Sequence, residues 1–132
     1  MIVTVPNKPG TIGWMDLTVE DADSVRDFYA AVVGWEPQEI SMGDYADFCM
    51  APPRTSKNPN QPVAGICHRR GPNAELPPVW LVYVTVADID ASLDEVVNRG
   101  GQVLSQTRSS SGGHYAVIQD PAGAICALYQ ER

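Results

Sequence analysis

Residues 19–35, VEDADSVRDFYAAVVGW, pass from the end of a strand-like run into a helical pattern. Four apolar side chains are spaced i, i+3, i+4 and i+7, and this period predicts one helical face turned toward a core. They are Val25, Phe28, Tyr29 and Val32. Acidic residues precede the helix, where they interact favourably with the positive end of the helix dipole. Gly34 follows it, where glycine readily adopts the left-handed conformation that ends a helix. We therefore predict a helix from about residue 22 to about residue 33.

The same order of residues returns in residues 86–101, VADIDASLDEVVNRGG. An offset of 67 residues separates Asp21 from Asp88 and Gly34 from Gly101. The apolar face predicted for this second helix consists of Ile89, Leu93, Val96 and Val97. Two copies of one supersecondary unit indicate a duplicated architecture, since neither copy can bury its apolar surfaces alone.

Runs rich in strand-forming residues surround both helices. The predicted strands are residues 11–19, 36–41, 44–50 and 63–68 in the first half, and 79–86, 102–108, 114–119 and 124–130 in the second. Residues 51–62, rich in proline and asparagine, should form a surface loop. The prediction is an α+β fold in one domain, residues 1–132. Two tandem βαβββ modules, about 10–70 and 78–131, would form a curved mixed sheet around a central cleft.

The charge and the cysteines limit the partners and the compartment. Sixteen acidic residues against nine basic ones give a formal charge of −7, which argues against nucleic acid and anionic membranes as partners. No leader or membrane-spanning stretch is recognisable. Cys49, Cys67 and Cys126 form no CxxC pair and are typical of a reducing compartment. We therefore expect a cytoplasmic protein.

Three segments together resemble a known family. VEDADSVRDFYAAVVGWEP, VADIDASLDEVVNRGGQVL and DPAGAICALYQ are similar, in order and spacing, to the glyoxalase, bleomycin-resistance and dioxygenase proteins of the vicinal oxygen chelate superfamily. The resemblance covers nearly the whole chain and implies the glyoxalase-like fold. It also implies one divalent cation, which the enzymes of the family hold with His, Gln and Glu side chains from both modules.

The resemblance places the four ligand positions of the family at Trp14, His68, Leu81 and Ala127. Three of these side chains have no lone pair for a metal ion, so we expect no resident metal cofactor. Asp16 is the best substitute ligand, because strand alternation puts it on the same side as Trp14. Asp16 and His68 are therefore weak candidates for a rebuilt divalent metal site.

Strand alternation also predicts a ligand pocket. The inward-facing residues would be Trp14, Asp16, Thr18, Leu81, Tyr83 and Thr85, with His68 and Ala127 completing the pocket. Aromatic walls with a few polar groups suit a small organic molecule. A carboxylate such as Asp16 is costly on a buried face unless it has a purpose or a partner. The alternative is an ordinary core in which Trp and Tyr serve as filler.

Three functions remain open from the sequence. The first is a small-molecule-binding protein that lacks the metal site, and the second is a metal-dependent lyase, isomerase or dioxygenase with shifted ligands. The third is a structural or regulatory domain with a filled cleft. No nucleophile or phosphate-binding motif is recognisable, and catalytic residues are not identified. Duplicated modules and the prevalence of two-fold assemblies predict a homodimer.

Overall fold

A computed structural model of the chain describes residues 8–71, 74–110 and 112–132, which contain two helices and nine strands. The predicted α+β class is confirmed. The chain divides into two compact units. The first unit is Met15–Trp80, and the second is Leu81–Arg132 together with residues 8–14. The latter join the second unit because Gly10 donates to the Thr85 carbonyl and Thr85 donates to the Thr11 carbonyl.

The first unit follows the predicted order of one strand, one helix and three strands. Its elements are β1 (Ile12–Val19, which begins before the unit boundary), α1 (Ala22–Val33), β2 (Glu36–Ser41), β3 (Ala46–Ala51) and β4 (Ala64–His68). The strand order is β2-β3-β4-β1, and only the β1–β4 pair is parallel. Asp21 caps α1 by accepting from the Ser24 amide, and Gly34 ends it with a positive φ of 85°. These caps explain why the predicted helix bounds are correct.

The predicted apolar face of α1 is correct only in part. Ala22, Val25 and Tyr29 pack on a core with Phe48, Met50 and Ile66. Phe28 and Val32, however, are 57% and 64% exposed. The core contact is a narrow stripe of the helix, so the remaining apolar residues lie in water.

The second unit repeats this order with one strand divided. Its elements are β5 (Trp80–Thr85, whose first residue belongs to the first unit), α2 (Ile89–Asn98), β6 (Gln102–Val103), β7 (Arg108–Ser110), β8 (Gly113–Gln119) and β9 (Ile125–Glu131). The strand order is β5-β9-β8-β6, β7 also pairs with β8, and β5 and β9 are parallel. The core contains Ile89, Ala116, Ile118 and Leu128, with Leu93 and Val96 against it. Val97, predicted for the same face, is 62% exposed.

The single strand predicted over residues 102–108 was wrong. The amides of Leu104 and Ser105 both point to the Val117 carbonyl, and the Ser105 hydroxyl accepts from the Val117 amide. Leu104 and Ser105 thus both lie opposite Val117 of β8. This two-to-one arrangement interrupts the regular strand pairing as a β-bulge does. Neither α1 nor α2, the two helices in the described part of the chain, is long and apolar enough to cross a bilayer.

Candidate functional site

The first unit carries a buried polar cluster on the side of its sheet opposite α1. Register pairs Asp16 with Gly65 and Thr18 with Cys67 across β1 and β4, and Cys49 with Gly65 across β3 and β4. We call Asp16, Thr18, Cys49, Gly65 and Cys67 the Asp16 face. Asp16 and Thr18 are 2% and 3% exposed, so the predicted burial of this carboxylate is correct. Trp14, two residues before Asp16, points to the same side of β1.

The two thiols of the Asp16 face are protonated at neutral pH. Burial raises the pKa of Cys49 to about 11, and the nearby carboxylates of Asp16 and Asp47 act in the same direction. Burial, again with Asp16, also raises the pKa of Cys67. A neutral thiol is a poor nucleophile and a poor metal ligand, so these cysteines act as small apolar residues.

The raised thiol pKa values predict a loss of stability at alkaline pH. In the unfolded chain a thiol ionises near its ordinary pKa of about 8.5, whereas the folded thiols stay protonated. The unfolded state then binds fewer protons, so the free energy of unfolding should be level to about pH 8 and fall above about pH 9. Urea unfolding of the wild type and of a Cys49→Ala/Cys67→Ala variant should show a shallower alkaline slope in the variant. Equal slopes would contradict this explanation.

His68 does not join the Asp16 face. It is in register with Val19, which packs with the α1 core, so its ring points toward the helix. Its Nε2 lies 3.8 Å from an Asp23 carboxylate oxygen, and its Nδ1 lies 3.4 Å from Asp47, which also accepts from the His68 amide at 2.8 Å. The proposed Asp16–His68 metal pair is therefore wrong, because alternation puts the two side chains on opposite sides of the sheet.

The second unit has an aromatic face on the side of its sheet opposite α2. Register pairs Tyr83 with Ala127 and Thr85 with Tyr129 across β5 and β9, and Tyr115 with Tyr129 across β8 and β9. We call Leu81, Tyr83, Thr85, Tyr115, Ala127 and Tyr129 the Tyr83 face. All six are at most 8% exposed. The rings of Tyr83 and Tyr115 meet edge to face, with centroids 6.0 Å apart.

Two donors in the second unit are buried without an acceptor. The Tyr129 hydroxyl and the Trp14 indole nitrogen have no hydrogen-bond partner among the described residues. Burial raises the pKa of Tyr129, and the Glu131 carboxylate adds to the effect, so the hydroxyl stays protonated at neutral pH. An unpaired buried donor costs about 1–3 kcal/mol, which makes both atoms candidates for contact with a ligand acceptor.

The sequence prediction missed Tyr115 and Tyr129. The signal was present for Tyr129, because it stands two residues after Ala127 and alternation puts both on one face. For Tyr115 the sequence offered only its match with Tyr45 in the first half, which does not say which side of the sheet it faces. Its place on the Tyr83 face follows from its register with Tyr129, which the sequence does not show.

The residues at the family's ligand positions do not fit a metal ion. The pair Tyr83–Ala127 in the second unit corresponds to Asp16–Gly65 in the first, because Asp16 and Tyr83 are related by the 67-residue offset. The counterpart of Ala127 is therefore Gly65, and its alignment with His68 was wrong by three residues. None of Trp14, Gly65, Leu81 and Ala127 has a side-chain lone pair for a metal. Nor do three His, Cys, Asp or Glu side chains converge as a metal site elsewhere in the described ranges.

The family model described as "Glyoxalase-like domain" matches residues 14–128. The chain is 32% identical over 126 residues to the Mycobacterium bovis protein named "Putative glyoxylase CFP32", covering 93% of this chain and 46% of that protein. It is 31% identical over 128 residues to "Anthracycline biosynthesis protein DnrV" of Streptomyces peucetius, covering 97% and 44%. The chain thus spans about half the length of these curated relatives.

Solved structures share the fold at low identity. Methylmalonyl-CoA epimerase from Mycobacterium tuberculosis matches with a TM-score of 0.56 and 16% identity, over 97% of this chain and 93% of that one. A glyoxalase/bleomycin resistance protein/dioxygenase superfamily member from Vibrio splendidus 12B01 matches with a TM-score of 0.59 and 14% identity, over 92% and 100%. The family model, which matches most of the chain, shows that this chain belongs to the glyoxalase-like domain family.

Proposed function

We propose that this chain binds a small, flat, oxygen-bearing organic molecule without a resident metal ion. The observation that carries the proposal is the Tyr129 hydroxyl, buried in the aromatic Tyr83 face with no acceptor among the described residues. A ligand oxygen that accepts from this hydroxyl would remove the cost of the unpaired donor. The protonated state of Tyr129 favours an acceptor over a donor as its partner.

The surroundings of Tyr129 favour an aromatic ligand. Tyr83 and Tyr115 already meet edge to face, and we infer that a flat ligand ring would extend this aromatic packing. Leu81 and Ala127 add apolar surface, so polar contacts would be few, as in most small-molecule sites. Trp14, which belongs to the same unit, is proposed as a further ligand contact from β1. One curated relative is named for anthracycline biosynthesis, and an anthracycline is a flat oxygenated polycycle.

The proposal excludes a resident metal because the four family positions have no ligand side chains. The side chains of Trp14, Leu81 and Ala127 have no lone pair to offer a cation, and Gly65 has no side chain. Ligand affinity would then depend on stacking, burial and hydrogen bonds rather than on coordination.

We infer a homodimer, as duplicated modules in a two-fold assembly suggest. A net charge of −7 supports an uncharged or cationic small molecule rather than nucleic acid as the partner. The three free cysteines, two of them buried, support a reducing compartment such as the cytoplasm.

The test uses quinizarin, a dihydroxyanthraquinone whose visible absorption reports binding. Tyr129→Phe should weaken quinizarin binding about tenfold, roughly 1–1.5 kcal/mol, because the ligand loses one hydrogen bond. The same variant should unfold at the wild-type temperature or slightly above it, since an unpaired buried hydroxyl has been removed. Thermal unfolding and ligand titration on one sample give both values.

Tyr45→Phe is the matched control, because Tyr45 packs on His68 in the first unit and lies outside the Tyr83 face. It should leave quinizarin affinity unchanged. A Tyr129→Phe variant that lost stability but kept its affinity would show that the hydroxyl has a structural partner, and the proposal would fail.

A further inference from the structure

Aromatic rings cover part of the core of the first unit. The rings of Tyr29, Trp35 and Trp80 pack together beside α1, with centroids 5.2–5.9 Å apart. The Trp80 indole nitrogen donates to the Tyr29 hydroxyl at 3.1 Å. All three rings lie against the core cluster that contains Met50 and Ile66.

The second unit has the corresponding core surface. The pairing of β3 with β4 matches that of β8 with β9, and it relates Met50 to Ile118 and Ile66 to Leu128. Ile118 and Leu128 belong to the core of the second unit, and each is 8% exposed. The two units can therefore be compared at the place where the first has its three rings.

The side chains above this surface differ between the units. The 67-residue offset relates Tyr29 to Val96 and Trp35 to Gln102, so a smaller and a polar residue replace two rings. An open groove with a volume of about 470 Å³ lies here, between α2 and the β8–β9 hairpin. We call it the α2 groove. Its apolar lining, which belongs entirely to the second unit, is Val86, Ala91, Val96, Ile118, Pro121 and Leu128.

The repeat indicates which kind of group fits the α2 groove. In the first unit the corresponding core surface is in contact with aromatic rings, and one of them is an indole that donates its N–H. An apolar cavity of about 150 Å³ holds a benzene molecule, so the α2 groove has room for a bicyclic ring with a short side chain. A flat aromatic ring therefore suits the floor of the groove.

The charged side chains of the α2 groove indicate the polar part of its ligand. They are Glu95, Arg99 and Asp120. Glu95 and Arg99 form an ion pair at 2.8 Å, so their charges offset each other. Asp120 adds a second carboxylate, whose Oδ1 is held in place by the amides of Ala122 and Ala124. Two carboxylates and one guanidinium leave a net negative charge, which favours a cation over an anion.

We propose that the α2 groove binds a small aromatic amine. The ring of the amine would lie on Val96, Ile118 and Leu128, and its ammonium group would donate to the Asp120 carboxylate. The formal charge of −7 on the chain attracts a cation in the same way. This site is separate from the Tyr83 face, because that face lies on the side of the sheet opposite α2. The inference thus goes beyond the proposed function.

Calorimetric titration with three compounds that share one ring tests the class of ligand. Tryptamine has an indole ring and an ammonium group, indole has the ring alone, and indole-3-acetate has the ring with the opposite charge. Tryptamine should bind at least tenfold more tightly than indole-3-acetate, with indole between them. Tryptamine that fails to bind, or equal affinities for all three compounds, would overturn the proposal.

Asp120→Asn tests the proposed partner of the ammonium group. The asparagine retains an oxygen that can accept from the two amides of the turn, so the fold should be kept. Tryptamine should bind to this variant no more tightly than indole does. A variant with the wild-type preference for tryptamine would contradict the role of Asp120.

Three variants of α2 test the location of the amine. Val96→Tyr introduces the residue that the first unit has at this position, and its ring should fill the groove and abolish tryptamine binding. Ala91→Trp is a second variant at an exposed position of the lining, and it should weaken tryptamine binding at least tenfold without changing the core. Val97→Tyr is the control, because Val97 is 62% exposed and lies outside the lining. Tryptamine binding that survives both Val96→Tyr and Ala91→Trp would overturn the proposal.

Quinizarin distinguishes this inference from the proposed function. Val96→Tyr should keep the wild-type affinity for quinizarin, and Tyr129→Phe should keep the wild-type affinity for tryptamine. Saturating tryptamine should leave quinizarin affinity unchanged, because the two compounds would lie on opposite sides of the sheet. Competition between them would overturn the α2 groove as the amine site, whereas a wild type that binds tryptamine but not quinizarin would contradict the proposed function alone.

Discussion

A Gly113→Ala variant is expected to lose at least about 3 kcal/mol of folding free energy, at the upper end of the usual cost of overpacking. Gly113 begins β8, opposite Glu131 of β9. A Cβ atom there would collide with the Gln130 carbonyl oxygen and lie 3.0 Å from the Tyr129 hydroxyl. Backbone atoms of a paired strand have little freedom to yield, so the β8–β9 hairpin must separate locally.

Urea unfolding measures this loss directly. Ser109→Ala is the control, because Ser109 lies on the adjacent strand β7 in register with His114 and is exposed. It should change stability by no more than about 0.5 kcal/mol. Gly113→Ala should also weaken quinizarin binding, since the added methyl group displaces Tyr129. A Gly113→Ala variant as stable as Ser109→Ala would contradict the packing of this hairpin.

Asp47→Ala is expected to cost about 2–3 kcal/mol, because it removes the acceptor of a charge-assisted hydrogen bond in a buried place. Asp47 is 2% exposed, accepts from the His68 amide and lies 3.4 Å from the His68 ring. Without the Asp47 carboxylate, the His68 amide loses the acceptor of this hydrogen bond. Asp47→Asn retains an oxygen acceptor and should cost about 1 kcal/mol less.

The two Asp47 variants also test the role of His68. In the structure His68 and Asp47 together hold the end of β4 against β3 and the start of α1. Thermal unfolding should rank the wild type above Asp47→Asn and Asp47→Asn above Asp47→Ala, with quinizarin affinity equal in all three. A loss of ligand affinity without a loss of stability would instead place His68 and Asp47 at the binding site.

Local signals predicted the elements well where end caps were present. The bounds of α1 follow from Asp21 and Gly34, whose side chain and positive φ stop the helix at both ends. Strand β2 begins and ends where the sequence pattern predicted. The interruption between β6 and β7 was missed because it depends on two amides sharing one carbonyl of β8, which no local pattern records.

The errors in the predicted site residues also arose from contacts between elements that no local sequence pattern records. Aligning Ala64–Cys67 with Gly123–Cys126 by residue type put His68 in the place of Gly65, whereas strand pairing depends on backbone register. Periodicity likewise placed Phe28 in a core, because an apolar stripe wider than the core contact looks the same in sequence as one that is buried. Burial of Asp16 and Tyr83 was predicted correctly because alternation along a single strand needs no partner.

Metal-free ligand binding is the central claim, and calorimetric titration of chelator-dialysed protein tests it most directly. A set of anthraquinones whose hydroxyl groups are not adjacent to a carbonyl and so do not chelate the ion, such as 2,6-dihydroxyanthraquinone, would be titrated before and after addition of Zn²⁺, Mn²⁺ or Ni²⁺. We expect one ligand per chain, bound with the same affinity with and without the ion, because the four family positions supply no ligand atoms. Binding that appears only after a divalent ion is added would contradict the account.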